Sequence, residues 1–261
     1  DELPRSLGRA ISLWFRTTFP DPREYARCFR TALGCLLAVG GPLPCEELGR
    51  ILGWSGSETA DFLRKARPLL NDGRDASGNQ TAAMSHDFVS EWLTSDLAGE
   101  YRANSSDGAR TVASRYFKLA RENPGSLTDY ELLRILPLLE TAGMREELDT
   151  ISRSSTFLER MARRAAELGK AGRHAEALEL AHAARGAISG REETPASLRA
   201  CAASALAGED EHFGRLAEAE SLRREVLGTW RSLEESETGL HLIDVSSACP
   251  DLAATLRDRG E

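Results

Sequence analysis

The sequence predicts a mainly α-helical chain with one small β-hairpin, on three observations. Apolar residues recur at helical spacing through most of its length. One turn-rich loop, Gly73 to Asn79, separates two short extended runs. The block Gly172-Arg173-His174-Ala175-Glu176-Ala177 returns 42 residues later, counting from 172 to 214, as Gly214-Arg215-Leu216-Ala217-Glu218-Ala219.

Composition narrows the class. The 261 residues suffice for one large or two ordinary domains, and 41% hydrophobic with 28% charged content is ordinary for a soluble globular protein. A net charge of −8 argues against nucleic acid, whose phosphates are gripped by Lys and Arg. The five cysteines, Cys28, Cys35, Cys45, Cys201 and Cys249, form no CxxC pair. They read as free, mostly buried thiols in a reducing compartment, with Cys28 and Cys35 on one helix and no metal site. No apolar run approaches the ~18 residues of a spanning helix, and no signal peptide is visible. A cytoplasmic location without membrane contact is expected. The opening Asp1-Glu2-Leu3-Pro4 lacks an initiator Met, so a piece of a longer polypeptide is expected.

The first region, residues 1–98, begins with a helix over roughly 23–39. Phe29, Ala32, Leu33, Leu36 and Leu37 share one face, and Gly40-Gly41-Pro42 stops it. A short helix with Leu48, Ile51 and Leu52 ends at Gly53. Ser57 can cap a third helix, which buries Phe62, Leu63 and Ala66 and ends at Pro68. The extended runs Leu69–Asp72 and Thr81–Met84 then flank the hairpin loop. Three helices followed by a hairpin is the winged-helix order. A further helix from His86 presents Phe88, Val89, Trp92 and Leu93.

Residues 99–158 read as a helical linker bundle. Val112, Ala113, Tyr116, Phe117 and Ala120 form one stripe, broken by Asn123-Pro124-Gly125. Thr128 and Glu131 make a capping box, in which hydroxyl and carboxylate satisfy two backbone donors. The helix so started carries Leu132, Leu133, Leu136 and Leu139, and Pro137 should kink it. Residues 159–261 hold the repeats, each block following one helical segment (Met161–Lys170, then Ala196–Ala207) and opening another. Ala165, Ala177, Ala181 and Ala202 permit close helix packing. This predicts tetratricopeptide-like helical pairs, lengthened beyond the usual ~34 residues by a loop around Gly208. A third copy begins near Leu252, and the array reads as truncated.

The sharpest chemical candidate is His86, whose imidazole at the edge of the hairpin could bond a phosphate oxygen. Asp87 suits the helix dipole. No G-x-x-x-x-G-K-[ST] sequence occurs, so no catalytic residue and no cofactor is assigned to the chain itself. His174, His182, His212 and His241 read as solvated or packed. Arg64, Lys65 and Arg67 on the third helix are offset by Glu58 and Asp61, which makes DNA an unlikely partner. Arg160, Arg163, Arg164 and Lys170 could draw an acidic protein or peptide to the repeats.

Met84-Ser85-His86-Asp87-Phe88-Val89 resembles the Met-His-Asp motif of STAND NTPases, the class of NACHT proteins and plant disease-resistance receptors. Here Ser85 separates Met84 from His86. Leu36-x-x-Val39-Gly40-Gly41-Pro42-Leu43 resembles that family's first winged-domain helix and the turn behind it. Tyr130 to Leu139 resembles the leucine- and proline-bearing helix that follows the wing. The resemblance implies that His86 senses the β-phosphate of ADP held by an upstream nucleotide-binding domain, with ADP or ATP as the intact protein's cofactor. It also implies ligand capture by the repeats and homo-oligomerisation on activation. A DNA-binding regulator with effector-binding repeats, or a plain interaction scaffold, are the alternatives.

Overall fold

The structure, a computed structural model, describes residues 5–75, 78–189, 191, 194–236 and 242–259. The chain is mainly helical with one three-stranded sheet. It divides into two compact units, Asp1–Tyr116 with Pro137–Arg145, and Phe117–Leu136 with Glu146–Glu261. The stretch 99–158 thus contributes to both.

In the first unit, α1 (Arg5–Thr18) precedes α2 (Pro22–Cys28) and α3 (Arg30–Val39). The sequence reading had no α1, and it joined α2 to α3. Phe29 separates them and places Cys28 and Cys35 on different helices. The Asp21 side chain caps α2, and Gly40, left-handed at φ +63°, ends α3. The unit's aromatic core explains α1. Phe15 is fully buried and meets Trp92 in a stacked pair at 5.1 Å and Tyr25 edge-on at 5.5 Å. Tyr25 Oη donates to the Tyr101 carbonyl at 2.7 Å, and Tyr101 Oη donates to the Phe19 carbonyl at 3.0 Å.

Next come β1 (Leu43–Pro44), α4 (Cys45–Leu52), α5 (Gly56–Ala66), β2 (Leu70–Arg74), β3 (Gln80–Met84) and α6 (Asp87–Thr94). The expected hairpin is present, with Leu70 opposite Met84 and Asp72 opposite Ala82. β1 adds a third strand on the other side of β3, Leu43 pairing Ala82, which the sequence had rendered as a turn. Two residues are too few to display alternation. The cap of α5 is Ser55, not Ser57. Its hydroxyl accepts from the Glu58 amide while the Glu58 carboxylate accepts from the Ser55 amide.

α7 (Ser105–Glu122) and α8 (Asp129–Thr141) follow, then α9 (Arg145–Ser152). The Thr128–Glu131 capping box is formed as expected. α8 runs unbroken through Pro137, and it buries Leu132, Ile135, Leu138 and Leu139, so Ile135 and Leu138 replace Leu133 and Leu136 on the inward face.

The second unit contains α10 (Ser155–Lys170), α11 (His174–Ile188), α12 (Ala196–His212), α13 (Leu216–Ser236) and α14 (Leu242–Arg259). α10 packs on α11, α11 on α12, α12 on α13 and α13 on α14, while α10 also packs on α12. Ala165, Ala177, Ala181 and Ala202 are fully buried, as close packing of small residues requires. The repeated block closes two equivalent turns. Gly172 and Gly214 sit at φ +77° and +75°, the Arg173 amide donates to the Leu168 carbonyl, and the Arg215 amide donates to the Asp210 carbonyl. One expectation fails here: Gly208 lies inside α12, so the 42-residue period comes from long helices and the 189–195 connection. Leu252 to Arg259 of the third copy is helical within α14, while His241 and Gly260 lie outside the described residues.

Candidate functional site

His86 stands where β3 hands over to α6, in extended backbone at φ −154° and ψ 147°. The hairpin sets its position: the Ser85 amide donates to the Leu69 carbonyl at 2.9 Å, and Asn71 Nδ2 donates to the Ser85 carbonyl at 3.1 Å. His86 makes no side-chain cap for α6. Its exposed ring lies parallel to Phe88, centroids 5.1 Å apart and planes 13° apart. Phe88 therefore covers one face of the ring. Such an imidazole can donate to or accept from a group brought to this edge.

In the second unit a cavity of about 690 Å³ opens across α10 and α12. Ala162, Ala166 and Gly169 of α10 face Cys201, Ala205 and Gly208 of α12, so a narrow floor of small residues runs along it. Trp230 and Arg223 of α13 also line it. At one end His174 Nδ1 lies 3.0 Å from Glu209 Oε2, and the His174 and His212 rings stack at 3.4 Å. Glu209 is nearly buried, and its Oε1 would lie 2.1 Å from a Cβ at position 169, so a larger residue there must displace the carboxylate. Sequence reading missed this cluster because His174 lies 35 residues before Glu209.

The four cations assigned to partner binding fare differently. Arg164 is an internal tie: it donates to both Asp129 oxygens, at 3.0 Å through one terminal nitrogen, and to Glu167 at 2.7 Å. Arg173 adds a bond to Asp129 at 2.6 Å. The Arg164 and Arg173 bonds hold the Asp129 carboxyl below its ordinary range, and Asp129 in turn raises Arg164 further. Arg163 pairs with Glu159, and Arg160 lies 4.0 Å from Glu167. Lys170, exposed on the groove's rim, has no ion-pair partner among the described residues.

The basic cluster of α5 is compensated. Arg64 pairs with Asp61, and Lys65 lies 3.4 Å from Asp61 and 3.8 Å from Glu24. Cys35 and Cys45 are buried, which pushes their thiols up to about 12 and about 11, so neither is a nucleophile at neutral pH, whereas Cys201 is exposed in the groove. Among the described residues no cluster of His, Cys, Asp or Glu is arranged to hold a metal ion, and no helix is long and apolar enough to cross a membrane.

No family model matches the chain, and neither a curated protein nor a solved structure matches it.

Proposed function

We propose that the chain is the regulatory and sensor part of a STAND-type signalling NTPase: a winged-helix domain that reads the nucleotide state, joined by a helical linker to tetratricopeptide-like repeats that bind a protein ligand. The observation that carries this reading is the place of His86. The order α3, β1, α4, α5, β2, β3 ends in an exposed imidazole at the start of α6, held by the hairpin and braced by Phe88. In this mechanism His86 bonds the β-phosphate of ADP held by a nucleotide-binding domain, expected upstream in the same polypeptide. Ligand capture by the repeats moves the helical arm and draws the wing away, ADP leaves, and the ATP-bound form oligomerises. The wing is then a two-state element whose contact with the nucleotide differs between states. The chain itself hydrolyses nothing in this account.

The ligand-binding role draws support from the groove along α10 and α12. Glu159, Arg163, Glu209, Arg223 and Asp251 each have partners within the unit, which leaves Lys170 to meet a carboxylate of the ligand. The DNA-binding alternative is disfavoured by the pairing of Arg64 and Lys65 with acidic neighbours. Nucleotide retention by the full-length protein tests the proposal. His86→Ala should release ADP faster and raise activity without ligand; unchanged ADP retention and basal activity would remove the assigned role.

A further inference from the structure

The first unit holds a second cavity, of about 650 Å³, that no feature of the nucleotide-sensing reading uses. Its apolar side is Trp54 backed by Phe62 and Phe29, with ring centroids 5.5 Å (Trp54 to Phe62) and 5.2 Å (Phe62 to Phe29) apart. Phe29 and Phe62 are buried, while Trp54 is half-buried and lines the cavity. Backbone fixes that placement: Gly53, left-handed at φ +67°, ends α4, and the Trp54 amide donates back to the Gly49 carbonyl at 2.8 Å. The polar side comes from the first two turns of α5, with Ser57, Glu58 and Asp61.

The charges on that polar side are unequal. Asp61 is already bonded to Arg64 and lies 3.4 Å from Lys65. Glu58 is different. Its Oε2 accepts from the Ser55 amide at 2.7 Å and from Ser55 Oγ at 2.8 Å, while no hydrogen bond to its Oε1 occurs among the described residues. The Ser55 amide bond holds the Glu58 carboxyl below its ordinary range, so the charge persists well below neutral pH. An aromatic face beside a carboxylate with one oxygen still unbonded attracts a cation. The protein uses the same chemistry next door: the Lys65 ammonium sits 5.7 Å from the Phe29 centroid, between Asp61 and Glu24.

We propose that the Trp54 pocket binds a lysine side chain of a partner polypeptide, its ammonium over the indole and bonded to Glu58 Oε1. Lysine suits it better than arginine. A guanidinium is best met by both oxygens of a carboxylate, and Ser55 already occupies one oxygen of Glu58, whereas an ammonium is satisfied as a point charge. The chain's net charge of −8 favours a basic partner segment. Arg27, which also lines the cavity, opposes the incoming charge.

The test is a titration of the intact chain with Nα-acetyl-lysine amide, followed by the indole N–H resonance of Trp54. That signal is identified among the four tryptophans by its loss in Trp54→Phe. A saturable shift in the millimolar range is expected, with Nα-acetyl-norleucine amide giving none and the arginine analogue binding more weakly. Glu58→Gln retains the capping box, since glutamine also serves at that position, and should weaken the lysine probe about threefold or more. Trp54→Leu should weaken it about two- to fivefold, read from the amide signals of α5, and Arg27→Gln should tighten it. Equal binding of the norleucine probe, tighter binding of the arginine probe, an indole that does not respond, or Glu58→Gln titrating like the parent would each overturn the assignment.

Discussion

Gly34 of α3 and Gly108 of α7 meet backbone to backbone: a Cβ added at 108 would lie 2.0 Å from the Gly34 carbonyl oxygen and 2.6 Å from the Cys35 amide nitrogen. Neither atom can move without moving α3 itself. Cys35 Sγ completes the crossing, 3.9 Å from the Gly108 carbonyl. Gly108→Ala should therefore destabilise the first unit by about 3 kcal/mol, at the upper end of the cost of overpacking. Urea unfolding followed by near-UV circular dichroism of the Trp92–Tyr25 core measures it; a loss below about 1 kcal/mol would mean the helices separate freely.

A second glycine gives a prediction whose sign depends on a partner. Gly169→Ala gains about 1 kcal/mol of helix propensity but displaces the nearly buried Glu209 carboxylate from His174, which costs about 1–3 kcal/mol. A net loss near 1 kcal/mol is expected. In a Glu209→Ala background the clash is gone and the same change should stabilise by about 1 kcal/mol. Thermal denaturation of the four-member cycle reads the sign reversal.

Asp129 ties α8 to the first repeat through Arg164 and Arg173. Its carboxyl is held below the ordinary range in the folded state. Such a group stabilises the fold above the unfolded-state value of about 3.9, and that contribution disappears as pH falls through the lower folded-state value. Asp129→Asn should cost about 2 kcal/mol at neutral pH, and its stability should fall less steeply than the parent's below about pH 4. Parallel acid limbs for the two proteins would contradict this.

Arg223 links three elements around α14. One terminal nitrogen reaches Asp251 at 3.0 Å and Ser204 at 3.3 Å, and the other reaches Glu211 at 3.1 Å. Glu211 also accepts from Thr255 of α14. Arg223→Met should lower the opening free energy of α14 by about 2–3 kcal/mol while leaving α10 and α11 unchanged. Hydrogen exchange resolved by segment separates this local effect from a global one.

The His86 ring makes no hydrogen bond among the described residues, and the residue is exposed. His86→Ala should change stability by less than about 0.5 kcal/mol. A larger loss in thermal denaturation would make any altered signalling of that variant a folding effect.

What the sequence revealed follows from how local each signal is. The Thr128–Glu131 box, the stops at Gly40 and Gly53, and the paired turns at Gly172 and Gly214 are governed by residues within a few positions, and all are legible. The cap of α5 was misplaced at Ser57, although Glu58 stands three residues after Ser55 and completes its capping box. Helix α1 was missed although Ile11, Trp14 and Phe15 have helical spacing; its reason for folding, the stack of Phe15 on Trp92, lies far along the chain. Gly208 reads as a breaker, yet α12 carries it where a larger side chain would intrude on the groove. Arg164 looked like a free surface cation because Asp129, its partner, is 35 residues away. The His174–Glu209–His212 group and the Trp54 pocket are assembled only by packing.

The matching turns after α10 and α12 make the same bonds at the same spacing, down to a left-handed glycine and an arginine amide reaching back to the helix. A duplicate of residues 174–215 spliced in after Arg215 would find at its start the junction it has already left, and at its finish the one it was built to meet. Such an insertion would keep the backbone bonds that close both turns.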